Sequence, residues 1–215
     1  MNNLTDYGKV SHVMVNHMKD YFKSCGLHSA VLGISGGIDS TLVAVLLHNV
    51  SNQLKEECYD FTFYGVSLPT KTTDNKEFWV SQLVGNTFCD KFEVVEMDEA
   101  SSVVESWLGE WKTNWHPSEK IEPIRSGNAK SRLRMIYLYD YAKKKNGIVI
   151  GTDNYTEYLL GFSTIGGDAL FDYNPIQYLW KTEVFEMSKM FLFNYSYEDI
   201  TKAAAIKESL ALKPM

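Results

Sequence analysis

The chain has 215 residues, 45% of them hydrophobic, with 21 basic and 27 acidic side chains and a formal net charge of −6. That length suffices for one substantial core, so a single domain over residues 1–215 is expected, and the acidic balance argues against nonspecific nucleic-acid binding. No apolar run reaches membrane-span length, and Met1-Asn2-Asn3-Leu4-Thr5-Asp6 lacks the regions of a signal peptide, so a cytoplasmic protein with no membrane partner is expected.

From about Tyr7 to Phe22, Val10, Val13, Met14, His17, Met18 and Tyr21 recur at three- and four-residue steps, which predicts a helix packed on the core. Val31 and Leu32 then lead into Gly33-Ile34-Ser35-Gly36-Gly37-Ile38-Asp39-Ser40, and Leu42, Val43, Val45, Leu46 and Leu47 form a helical stripe behind it. This reads as strand, glycine loop, helix. Free N–H groups and the positive end of the helix dipole would meet at the loop, a place for an anion. Gly36 and Gly37 permit close approach, Ser35, Ser40 and Thr41 offer hydroxyls, and Asp39 can hold a divalent cation against phosphate oxygens. The string lacks both a Walker Gly-Lys-Ser/Thr ending and the dinucleotide spacing. It resembles the pyrophosphate loop of the PP-loop ATP pyrophosphatases, which split ATP between its α and β phosphates.

Phe61 to Leu68 predicts a second buried strand, whose end at Ser67 to Thr72 is a candidate adenosine pocket or an ordinary loop. Asp74 to Phe88 predicts a helix with Phe78, Val80, Leu83 and Val84 inward, Lys91 to Met97 a third strand, and Ala100 to Trp111 another helix. His116 to Ile124 reads as a surface loop. Ser126-Gly127-Asn128 then opens a long helix whose first turns carry Lys130, Arg132 and Arg134, cations that oppose the dipole and suggest an anion nearby, or solvated charges. Gly147 to Gly151 is a fourth strand, followed by Thr152-Asp153-Asn154-Tyr155-Thr156-Glu157. Asn154 and Glu157 fit a capping box, and beside a phosphate loop Glu157 is also a magnesium candidate. Gly161 to Asp168 is a glycine-rich loop long enough to act as a lid. Lys181-Thr182 starts a helix, Ser196 to Glu208 a last one, and Leu210 to Met215 is a tail. Cys25, Cys58 and Cys89 form no Cys-x-x-Cys pair and read as free thiols. Alternating strands and helices predict a doubly wound, mostly parallel α/β sheet flanked by helices.

From Gly33 to about Met190 the chain resembles the NAD synthetases, the PP-loop ligases that amidate deamido-NAD (nicotinic acid adenine dinucleotide). The matching pieces are Gly33 to Ser40; Gly127-Asn128-Ala129-Lys130-Ser131-Arg132-Leu133-Arg134-Met135; Gly151 to Glu157; Gly161-Phe162-Ser163-Thr164; Gly167-Asp168; and Asn174-Pro175-Ile176 with Leu179-x-Lys181-Thr182. The resemblance implies an ammonia-dependent, AMP-forming ligase acting through an acyl-adenylate, with Asp39 and Lys181 catalytic. It implies ATP at Gly33, Ile34, Ser35, Gly36, Gly37, Ile38, Asp39, Ser40, Thr152 and Lys181, and Mg²⁺ at Asp39 and Glu157. Deamido-NAD would meet Arg132 and Asp172 at the interface of a homodimer. Ile165 stands where a lysine is usual in ammonia-dependent members, and Gly166 where a tyrosine is. Lys213-Pro214-Met215 falls where many members continue with a Pro-Ser/Thr-Ala-Asp segment. Those departures leave two alternatives: a PP-loop ligase for another carboxylate, or a degenerate nucleotide-binding protein.

Overall fold

The computed structural model describes residues 5–109 and 121–212. Four strands, β1 (Ser29–Gly33), β2 (Thr62–Ser67), β3 (Lys91–Val94) and β4 (Ile148–Ile150), form one parallel sheet in the order β3-β2-β1-β4. An isolated parallel bridge from Ile150 to Tyr173 extends the β4 edge. The doubly wound α/β expectation is met.

Strand alternation sorts the core into two layers. Ala30, Leu32, Phe63 and Ile150 face helices α1 (Tyr7–Ser24), α2 (Ile38–Glu56), α3 (Asn75–Phe88), α7 (Lys181–Glu198) and α8 (Ile200–Leu210). Val31, Val66 and Val149 face the long helix α5 (Ile121–Lys144) through Leu138 and Ala142. Helices α4 (Asp98–Gly109) and α6 (Tyr155–Leu160) are the remaining helices among the described residues. Each fully buried leucine or phenylalanine contributes about 1.5–3 kcal/mol, and Phe22, Phe63, Leu32, Leu42, Leu46 and Leu47 are of that kind.

Several sequence expectations shift. In α1 the buried stripe is Ser11, Val15, Met18 and Phe22, while Val13 is 65% exposed. The stretch expected as a loop from His116 lies outside the described residues as far as residue 120, and from Ile121 to Ile124 it is already helical. Helix α5 therefore starts well before Ser126, and Lys130, Arg132 and Arg134 sit several turns inside it. Their positions no longer argue for an anion through the dipole, which acts only over a terminal turn. Ser196 belongs to α7, because the Asp199 carboxylate accepts from the N–H groups of Thr201 (3.0 Å) and Lys202 (3.2 Å) and so starts α8 there. Cys25 and Cys58 are exposed and free; Cys89 is free and half-buried, and burial pushes its thiol pKa up.

Candidate active site

At the carboxyl end of β1 the chain turns through Ile34 to Gly37 and enters α2 with Gly37 as its N-cap. The Gly36 φ of +89° suits glycine, and a Cβ there would lie 2.7 Å from the Glu77 carbonyl oxygen and 2.9 Å from the Ser81 nitrogen, both backbone atoms of α3. Ser35 Oγ lies 2.9 Å from Ser40 Oγ and accepts from the Gly37 N–H at 3.2 Å. Asp39, in the first turn of α2, projects beside this loop.

The loop after β4 faces it. The buried Asn154 caps α6: its Oδ1 accepts from the Glu157 N–H at 3.1 Å, and its own N–H donates to Glu157 Oε2 at 3.1 Å. The capping box therefore exists. Its Nδ2 also donates to Asp39 Oδ1 at 2.9 Å, so one residue orients both carboxylates. Lys181 Nζ donates to Asp39 Oδ2 and, at 3.3 Å, to Glu157 Oε1. Capping and cation binding are thus not alternatives, because Glu157 offers one oxygen to each.

The residues between Asn174 and Lys181 make that geometry. Asn174 Nδ2 donates to the Asp153 carbonyl at 2.8 Å, the Tyr155 N–H to the Leu179 carbonyl at 2.8 Å, and the Lys181 N–H to Thr156 Oγ1 at 3.0 Å. A cation at the first turn of α7 opposes the dipole, but here two carboxylates sit against it. Burial lowers the Lys181 pKa, and the hydrogen bond and charge of Asp39, with Glu157, outweigh it and raise the value.

Asp153 is a site residue to which the sequence alone assigns no role. Burial first, then the charges of Asp168, Glu157 and Asp39, push its carboxyl up to about 7 against the pull of a Ser163 hydrogen bond. Below about pH 4 the carboxyl is protonated folded or unfolded; between there and pH 7 only the folded state keeps the proton. This group's contribution to stability is thus fully present below the unfolded pKa and is lost as pH rises through 7. In metal-free buffer, Asp153→Asn is expected to flatten that fall, read as urea midpoints of parent and variant at pH 4.5 and 7.5.

The glycine-rich loop expected as a lid is fastened to α5. Asn128, Ser131 and Arg132 share one helix face at i, i+3 and i+4. Asn128 Oδ1 accepts from Thr164 Oγ1 (2.9 Å), Ser131 Oγ donates to Asp168 Oδ1 (2.7 Å), and Arg132 Nε donates to the Ile165 carbonyl (3.0 Å). The Ile165 side chain itself is 84% exposed. Arg134 Nε donates to the Leu68 carbonyl at 3.0 Å, and Lys130 pairs with Glu105 at 3.1 Å, so protein partners meet Lys130, Arg132 and Arg134 alike. Asp172 Oδ2 accepts from the Val149 N–H at 2.8 Å and Oδ1 from the Tyr139 hydroxyl at 3.4 Å. Thr152 stands two residues past the end of β4, after Gly151. Ser67 turns its hydroxyl inward, 2.9 Å from Ser81 Oγ.

The structure therefore brings together Gly33 to Ser40, Asp39, Glu157 and Lys181, and it sets Arg132 and Asp172 along α5 and the loop beside β4. Such an arrangement can hold a polyphosphate at a helix N-terminus, with one cation and a pair of carboxylates beside it. Two carboxylates around one ammonium are also a donor set for Mg²⁺, which takes one or two carboxylates with substrate oxygens.

A family model described as NAD synthase matches residues 10–205. An NH3-dependent NAD+ synthetase of Campylobacter jejuni subsp. doylei is 30% identical over 204 residues, covering 95% of this chain and 76% of the relative. One from Fusobacterium nucleatum is 33% identical over 181 residues, covering 84% and 64%. The chain thus spans about two thirds to three quarters of the length of those relatives. Among solved structures, the NAD+ synthetase of Burkholderia pseudomallei is 27% identical with a TM-score of 0.75, covering 96% of this chain and 74% of that one. The NMN synthetase of Francisella tularensis is 25% identical with a TM-score of 0.80, covering 98% and 76%. The parallel sheet flanked by helices agrees with these likenesses, and with a family model matching residues 10–205 the chain belongs to the NAD synthase family.

Proposed function

We propose that residues 1–215 act as one PP-loop domain that amidates deamido-NAD to NAD with ammonia and ATP, releasing AMP and pyrophosphate. The observation that supports this most is the convergence of Asp39, Glu157 and Lys181 beside the Ser35–Gly37 loop. In this reading the backbone N–H groups from Gly36 to Asp39 receive the pyrophosphate, while Ser35 and Ser40 hydrogen-bond its oxygens and Thr152 borders the nucleotide. Asp39 and Glu157 hold Mg²⁺, which when bound draws negative charge from the phosphate oxygens. Lys181 then exchanges its carboxylate partners for phosphate oxygens.

The acceptor carboxylate attacks the α-phosphorus, the bond to the bridging oxygen breaks, and the pyrophosphate keeps the electron pair. Lys181 and the loop N–H groups neutralise the charge that develops on it. Ammonia then attacks the acyl-adenylate carbonyl, AMP leaves, and the amide nitrogen sheds its proton. The Gly161–Asp172 loop, fastened by Arg132, keeps water from the acyl-adenylate's mixed anhydride. Arg132 and Asp172 take the acceptor.

A homodimer with the dinucleotide at its interface belongs to the same reading. Val103, Trp107 and Ile124 on α4 and α5 are 70%, 65% and 65% exposed and suit such a contact. A cytoplasmic location, where ATP is available, belongs to it too; no helix among the described residues is long and apolar enough to cross a membrane.

A second reading keeps the chemistry and changes the acceptor to the mononucleotide whose amide is NMN, in line with the likeness to the Francisella protein. ATP–pyrophosphate exchange decides between them. The first reading expects exchange that depends on deamido-NAD. Exchange with the mononucleotide alone favours the second, and none with either contradicts both.

A further inference from the structure

Past residue 205, the last one matched by the family model, α8 reaches back to the glycine loop. Ser209, 2% exposed, donates its hydroxyl proton to the Gly36 carbonyl at 2.8 Å, and Thr41 Oγ1, 1% exposed, donates to Ser209 Oγ at 2.9 Å. Each hydroxyl has one proton to give, and Thr41 Oγ1 lies nearer Ser209 Oγ than the Gly36 carbonyl (3.5 Å), so the chain runs Thr41 to Ser209 to the Gly36 carbonyl. In a planar trans peptide the carbonyl and the next N–H point to opposite sides. Tying the Gly36 carbonyl inward to α8 therefore turns the Gly37 N–H outward, to the side where it meets Ser35 Oγ. Glycines on both sides of this peptide leave it free to rotate otherwise, and a carbonyl turned outward would face an anion with its negative end.

We propose that Ser209 is a positioning residue for the pyrophosphate cradle, which acts by locking the Gly36–Gly37 peptide with its N–H toward the anion. This rests on the ATP reading above. Ser209 touches neither substrate nor metal in it. Ser209→Ala leaves the buried Gly36 carbonyl only the long 3.5 Å contact from Thr41 Oγ1, while Ser209→Cys keeps the volume but donates weakly.

The test is titration calorimetry of parent, Ser209→Ala and Ser209→Cys with magnesium pyrophosphate and, separately, with AMP, alongside thermal melts. Both variants are expected to bind pyrophosphate about tenfold more weakly and AMP within about twofold of the parent. Pyrophosphate affinity unchanged in the folded cysteine variant overturns the inference. So does an equal loss for both ligands, which would mean general damage to the site. A parent that fails to bind pyrophosphate contradicts the ATP reading itself, and the parent titration alone reveals that.

Discussion

Asp39→Ala is expected to reduce kcat for amide formation by about 10²–10³-fold, since it removes a carboxylate of the proposed metal pair and frees Lys181 from its place. Lys181 is shared by Asp39 and Glu157, and the buried Asn154 amide aims Asp39, so the three side chains act as a unit. Lys181→Met should then cost a similar factor, and the double variant little more than either alone, because effects within one unit do not add. Stability should change little. All three side chains are partly exposed, so losing this ion pair costs on the order of 1 kcal/mol after screening by solvent. Single-turnover kinetics with saturating ATP, beside thermal melts, measure both. A variant that keeps kcat within about threefold of the parent would place the chemistry elsewhere.

Gly36→Ala should be the most damaging loop substitution. At a φ of +89° an alanine costs about 1–2 kcal/mol, and the clash with backbone atoms of α3 adds about 1–3 kcal/mol of overpacking. Neither the Glu77 oxygen nor the Ser81 nitrogen can step aside without moving α3, so the loop must shift and pyrophosphate binding should fall with it. Gly161, which ends α6 at a φ of +64°, has nothing within 4 Å of the place a Cβ would take. Gly161→Ala should therefore cost only the left-handed term of about 1 kcal/mol. Urea midpoints of the two variants separate clash from conformation, and equal losses would refute the role given to α3.

The strand, glycine loop and helix around Asp39 could be read from residue order alone, because apolar runs, glycines and polar caps there agree with one another. The start of α5 could not. Ser126-Gly127-Asn128 has the look of a helix entrance, yet Ser126 Oγ donates to Glu105 Oε1 at 2.7 Å and Lys130 pairs with the same carboxylate, so packing on α4 carries the helix through a glycine. That contact is tertiary and outweighs the cost of about 1 kcal/mol for a glycine inside a helix. In α1 the apolar residues spread around the cylinder: Val13 points outward, and a small polar residue, Ser11, lies on the buried stripe with Val15, Met18 and Phe22. Asp39 and Glu157 stand out as cation candidates beside a glycine loop and a strand end, and the family resemblance adds Lys181, whereas the joint hold of Asn154 on two carboxylates arises only from the fold. Nothing in the sequence around Ser209 distinguishes it from any serine near a helix end; its meaning comes from a contact 173 residues away.

The most direct test of the proposed chemistry is product formation by the purified chain with ATP, Mg²⁺, ammonium and deamido-NAD, following NAD and AMP together. NAD and AMP are expected in equal amounts, both dependent on ammonium. AMP released without NAD, or no turnover while ATP still binds, would contradict deamido-NAD as the acceptor.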